Sequence, residues 1–119
     1  MPSPNILDIS AITGKTAVFE ITNIVTPVLT NPSSSSVVYK LNTLFISNIN
    51  GSATAQITVD FYRNSQSYRI ASTIDVEADT TLVVLGKDTS IYLEPGDALR
   101  VAGSDNGFLT GVLSYEILE

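Results

Sequence analysis

Gly14-Lys15-Thr16 is the first string along the chain that invites a chemical reading, because Gly-Lys-Thr closes a phosphate-binding loop when a second glycine stands five positions earlier and a helix follows. Ile9 occupies the earlier position and no helical pattern follows, so the string reads as a turn leading into a strand. Asp75, Glu77 and Asp79 come next. Their alternate spacing puts three carboxylates on one face of a strand, or around a cation in a loop. They lack the central glycine and distal glutamate of an EF-hand, and read as solvated acidic surface, with a calcium or magnesium site at an assembly interface as the alternative. Glu94 and Asp97 flank Pro95-Gly96. A glycosidase needs two carboxylates on either side of a scissile bond, but acids that bracket a turn more simply bond its backbone. Tyr62, Tyr68 and Tyr92 are the aromatic residues that could line a sugar-binding platform. They fit an ordinary core or interface equally well.

Composition narrows the chemistry further. Among the 119 residues there is no histidine and no cysteine. That removes the commonest general base and metal ligand, and with them thiolate chemistry, zinc–thiolate sites and disulfides. No nucleophile–base pair can be proposed from what remains, so the expectation is a protein that is not an enzyme and needs no cofactor or metal. The net charge is −6, and the six basic residues, Lys15, Lys40, Arg63, Arg69, Lys87 and Arg100, are scattered. A chain without a basic patch repels phosphates, which argues against nucleic acid and against anionic lipid. The first ten residues show no basic or apolar segment of a secretory signal, and no apolar run approaches the roughly 18 residues of a membrane helix. A soluble protein made in a cytoplasm is expected.

The elements that must hold these residues are strands. Leu41 to Arg63 (LNTLFISNINGSATAQITVDFYR) reads as a β-hairpin, with Asn50-Gly51 as its tight turn. Ile57, Val59 and Phe61 alternate with Thr58, Asp60 and Tyr62, giving one apolar face. Leu44, Phe45 and Ile46 make the preceding strand apolar on both faces, as a central strand would be. Further strands are expected over Ile6–Ile12, Thr16–Thr22, Tyr68–Val76 (Tyr68, Ile70, Ser72, Ile74 and Val76 on one face), Thr81–Leu85, Leu99–Gly103 and Phe108–Leu118, and Ile91–Leu93 leads into the Glu94–Asp97 turn. Turns are expected at Thr13-Gly14, Asn64–Ser67, Gly86–Asp88, Glu94–Asp97 (type II) and Ser104–Gly107. Asn23–Ser36, with two prolines and four consecutive serines, reads as a loop or an irregular edge. The fold class that follows is all-β: one antiparallel β-sandwich domain, jelly-roll-like, of about eight strands. An extended N-terminal arm over residues 1–8 precedes a sandwich over residues 9–119.

The strings LDISAITGKTA, VYKLNTLFISNINGSATAQITVDFY, LEPGDALRVAG and LTGVLSYEI, taken together, resemble a family of small virion structural proteins of tailed bacteriophages, especially the contractile-tailed phages of marine bacteria and cyanobacteria. Asn48-Ile49-Asn50-Gly51 carries asparagine where that family often has aspartate, which keeps the turn. The resemblance runs from about Ile6 to Ile117 and implies a virion component, made in the host cytoplasm, that works through protein–protein contacts. Its expected partners are the major capsid protein, or tail and neck proteins, and further copies of itself. Capsid decoration is the leading expectation. A tail, collar or fibre component is the first alternative and a carbohydrate-binding module for host attachment the second. The contact residues expected are Pro2, Pro4 and Ile6 of the arm, and Val25, Pro27, Leu29 and Pro32 of the proline-containing loop.

Overall fold

A computed structural model describes residues 8–119. Among the described residues nine strands are formed: β1 (Ile12–Ile21), β2 (Thr26–Thr30), β3 (Val38–Asn48), β4 (Ala55–Arg63), β5 (Gln66–Val76), β6 (Thr81–Leu85), β7 (Ile91–Leu93), β8 (Ala98–Gly103) and β9 (Leu109–Leu118). All pairings are antiparallel and fall into two sheets, one in the order β1-β9-β3-β6 with β7 also on β3, the other β2-β8-β4-β5. β6 and β7 occupy one position beside β3, split by a 3₁₀ turn at Lys87–Thr89. The pairs are nested. β4 pairs β5, β3 pairs β6 and β7, β2 pairs β8, and β1 pairs β9.

The two sheets close on one apolar layer. Leu41, Leu44 and Ile46 of β3 and Leu109 and Leu113 of β9 meet Ile57 and Val59 of β4 and Leu99 and Val101 of β8, all buried. Period-two alternation delivers most of this set, since only every second residue of a regular strand can face the other sheet; Leu41 and Leu44, three residues apart, both face inward because the β3 register shifts between Leu41 and Thr43. Each such aliphatic side chain contributes about 1.5–3 kcal/mol by leaving water.

The expected hairpin over Leu41–Arg63 is not formed. β3 belongs to one sheet and β4 to the other, so Ile49–Thr54 is a corner between layers. Side-chain amides hold it. The buried Asn48 Nδ2 donates to the carbonyls of Ala53 (2.8 Å) and Val76 (2.9 Å), and its Oδ1 accepts from Asn50 N at 2.9 Å. Asn50 Oδ1 in turn accepts from the amides of Ser52 and Ala53. These bonds satisfy the backbone that a hairpin ladder would otherwise satisfy, and the corner lets the apolar faces of both strands point at one another. The tight hairpin lies one turn later, at Asn64-Ser65, where φ values of 52° and 62° make the paired left-handed turn that joins β4 to β5. Asn48→Ala, which strands two carbonyls at the corner, is expected to lower the unfolding free energy by about 2 kcal/mol; urea titration measures it, and an unchanged midpoint would remove Asn48 as the corner's anchor.

Three other expectations change. Thr13-Gly14 is not a turn, because both residues pair with β9, opposite Ile117 and Glu116. The strand expected over Ile6–Ile12 is, among the described residues, an irregular lead-in whose Ser10 and Ala11 amides both donate to the Glu119 carbonyl. The residues Tyr68 to Val76 do not share one face, since two register shifts against β4 and a positive φ of 45° at Thr73 interrupt the alternation. Asn23–Ser36 contains the edge strand β2, whose register shifts between Pro27 and Leu29. The buried Asn31 fastens the segment by donating to the carbonyls of Val37 and Leu93. The Glu94–Asp97 turn forms as expected, with Gly96 at φ 96° and the Asp97 amide bonded to the Glu94 carbonyl.

Candidate interface

The residues singled out for chemistry are occupied with structure. Lys15 sits within β1 with no helix after it, so there is no phosphate loop. Glu94 and Asp97 are both bound to Arg63. Its Nε and Nη2 donate to the two oxygens of Asp97 at 2.8 and 2.6 Å, and Nη2 also reaches Glu94. The guanidinium is held above the ordinary arginine range, first by its hydrogen bonds to Asp97 and then, against some burial, by the charges of Asp97 and Glu94. Asp97 Oδ2 also accepts the Glu94 amide at 2.8 Å. This is a clamp on the turn. Asp75, Glu77 and Asp79 form no metal-binding group among the described residues, and Asp75 accepts from Gln56 Nε2. The three tyrosines do not assemble into one platform. Tyr92 lies on β7 of the first sheet, whereas Tyr62 and Tyr68 lie on β4 and β5 of the second. Tyr62 is covered by the Arg100 guanidinium, 4.3 Å from its ring centre.

What the strands bring together is an apolar row on the outside of the first sheet. Val18 of β1 stands opposite Val112 of β9, Val112 opposite Phe45 of β3, and Phe45 opposite Val83 of β6. One row of four apolar side chains therefore crosses four strands on the solvent face. Their exposures are 75%, 39%, 37% and 54%. Hydroxyl-bearing rows flank it: Thr16, Ser114 and Thr43 on one side, and Thr110, Ser47 and Thr81 beside Glu20 on the other. Ser47 and Thr81 share a 2.9 Å hydrogen bond across their strands. Neutral hydroxyl groups around an apolar centre are easily desolvated, as a protein–protein contact requires. A shallow depression of about 420 Å³ lined by Val18, Phe19, Glu20, Thr110, Gly111 and Val112 opens at the β1 end of the row.

Gly111 keeps β1 and β9 together under this row. The Phe19 ring lies where a Cβ at position 111 would stand, so the ring covers the glycine across the strand pair. Gly111→Ala is expected to cost about 1–3 kcal/mol by overpacking. Phe19→Leu in the same background should recover part of that loss in a thermal melt; no recovery would mean that the ring is not the obstruction.

Of the expected contact residues, Val25 is 44% exposed, and Pro27 and Pro32 are also exposed. Leu29 packs on the core cluster. Pro2, Pro4 and Ile6 lie outside the described residues. None of the other four belongs to the apolar row. The signal for that row was the second apolar face of β3, β6 and β9, which suggests strands covered on both sides when read without the sheet order.

No protein-family model and no curated protein matches the sequence. Among solved structures, the chain is similar to a capsid structure of the Helicobacter pylori bacteriophage KHP30, described as acid-stable, with a TM-score of 0.53, 12% identity, and 93% of this chain and 90% of the other covered. It is similar to the same degree to a Bacillus endospore appendage protein of a family of disulfide-linked pili, with a TM-score of 0.53, 12% identity, and coverage of 91% and 85%. At such identity the likeness is one of fold: an all-β sandwich of two antiparallel sheets.

Proposed function

We propose that this protein is a non-enzymatic structural component of a phage virion, and that it decorates the capsid surface by laying the outer face of its first sheet on the shell. The observation that carries this reading is the Val18–Val112–Phe45–Val83 row. It is an apolar strip at the centre of a sheet face whose flanking rows are hydroxyls, in a chain whose ion pairs, Arg63 with Asp97 and Glu94 and Arg69 with Asp60, hold a turn and join two strands. Four strands spaced at about 4.8 Å span roughly 19 Å, and ten residues of strand run about 33 Å. The face thus offers on the order of 600 Å² per partner, close to the lower end of a stable interface. The nested strand order supports a jelly-roll reading of the sandwich, an architecture that recurs in capsid proteins. The similarity in fold to a phage capsid structure is in keeping with this, as is the sequence resemblance to small phage virion proteins.

Cryo-electron microscopy of purified particles tests the proposal. Hundreds of copies on the icosahedral shell, with the Val18–Val83 row against a capsid subunit, are expected. A few copies at the neck or tail would replace decoration by the tail-component alternative, and absence from the particle would remove the virion reading altogether.

A further inference from the structure

Each sheet of this sandwich has two edges, and three of the four are blunted. β2 is five residues long, contains Pro27 and shifts register beside it. β5 carries two register shifts and a left-handed Thr73. The β6/β7 edge is cut by the 3₁₀ turn Lys87–Thr89. These are the ordinary devices that stop a sheet from adding strands. β1 has none of them. It pairs with β9 over ten consecutive residues without a register shift and contains no proline. Among the described residues no strand pairs on its other side.

The hydrogen-bond phase of that edge follows from its end. Ala11 and Glu119 exchange both backbone bonds, at 2.8 and 3.0 Å. Bonded and non-bonded pairs alternate along an antiparallel ladder. In the register Ile12 to Leu118 through Ile21 to Leu109, the odd residues therefore bond to β9. The amides and carbonyls of Ile12, Gly14, Thr16, Val18 and Glu20 point away from the sheet. Apolar exposure gathers here too. Val18 at 75%, Ile24 at 70% and Ile12 at 63% are the three most exposed large apolar residues described, and all lie in or just after β1.

We propose that β1 pairs antiparallel with β1 of a second copy about a two-fold axis at Val18, joining the first sheets of the two molecules into one. Residues of equal parity must stand opposite, which gives Val18 against Val18, Thr16 against Glu20, Ala17 against Phe19, and Lys15 against Ile21. The strand's two charged residues, Lys15 and Glu20, thus meet neither a like charge nor themselves. From Thr16 to Glu20 the pairing makes about six backbone hydrogen bonds from groups that now face solvent. It also sets the two Val18 side chains together and runs the apolar row without a break from one molecule into the next. The pairing goes beyond the virion reading and does not depend on it, because the purified chain alone can show it.

The experiment is amide hydrogen exchange by NMR on the purified full chain, in dilute and concentrated samples, beside sedimentation equilibrium. Expected are a monomer–dimer equilibrium and slowed exchange at Thr16, Val18 and Glu20 in the dimer. Thr16→Pro deletes an outward amide that the β1–β9 ladder does not use, and should raise the dimer Kd about tenfold or more. Val18→Lys, which leaves the backbone intact and sets two ammonium groups at the axis, should do the same. A chain that stays monomeric when concentrated overturns the proposal. So does a dimer whose even-numbered β1 amides exchange freely, or protection that vanishes when residues 1–7 are deleted, since the arm would then be what fills the edge.

Discussion

Arg63→Met is expected to lower the unfolding free energy by about 3 kcal/mol, the cost of stripping a buried carboxylate of its cation. The loss falls on Asp97, whose side chain is 3% exposed and cannot rehydrate where it stands. The contact with Glu94 matters less, because both partners are largely in solvent, at 39% and 49% exposure, and such pairs contribute little. Asp97 holds the Glu94 amide while Arg63, from the far end of β4, holds Asp97. The substitution therefore loosens the Glu94–Asp97 turn and the start of β8 together. The raised guanidinium pKa keeps Arg63 charged at any alkaline pH the fold survives, so its contribution is not lost as pH rises. Thermal unfolding should show a midpoint about 10 °C lower. Asp97→Asn in the Arg63→Met background should recover part of the loss, because a neutral amide is cheaper to bury. A shift below about 1 kcal/mol would mean that water reaches Asp97.

Phe45→Asp should separate folding from attachment. Phe45 lies at the middle of the apolar row, between Val112 and Val83, and is 37% exposed. A carboxylate there remains hydrated in the free protein, and the change in unfolding free energy should stay within about 1 kcal/mol. In the attached protein the same carboxylate is desolvated at the centre of the contact, where single substitutions cost most. An affinity for the particle about 100-fold weaker, or about 2.7 kcal/mol, is expected, measured by co-sedimentation with particles lacking the protein. Ser67→Asp, on the exposed β5 of the second sheet, is the matched control and should bind normally. If Phe45→Asp binds normally and Ser67→Asp does not, the attachment face is the second sheet.

Much of the fold was legible because its rules are local. Alternation located β4, apolar runs located β3, β6 and β9, and Pro95-Gly96 located its turn and with it the start of β8. What misled was chemistry with two outcomes. Asn50-Gly51 favours a hairpin, yet the same asparagine side chain can cap a corner, and the choice rests with Asn48 reaching Val76, 28 residues away in sequence. Thr13-Gly14 resembles a turn until β9 supplies partners. The candidate site was half visible: the second apolar face of β3 was noted, but whether such a face meets a helix, a sheet or solvent is set by the sheet order, which no residue pattern carries. The ion-pair clamp was foreseen only as acids that bond a turn, because nothing in the spacing links Arg63 to a turn more than 30 residues later.

The nested pairing also dictates an order of events as the molecule forms. Only β4 and β5 are joined by a short turn, and each further pair encloses a longer span of chain, ending with β1 against β9. Closing such loops costs entropy before any contact is made, so folding should start at Asn64-Ser65 and proceed outward, at the slow pace of β proteins rich in distant contacts. Of the described strands β1 is synthesised before the others and is among the last to find its place, since its partner, Leu109–Leu118, is synthesised after them. Until then Ile12 and Val18 lie open on a bare strand. A newly made chain is most prone to aggregation in that interval, which is shortest when synthesis from β1 through β9 is fast.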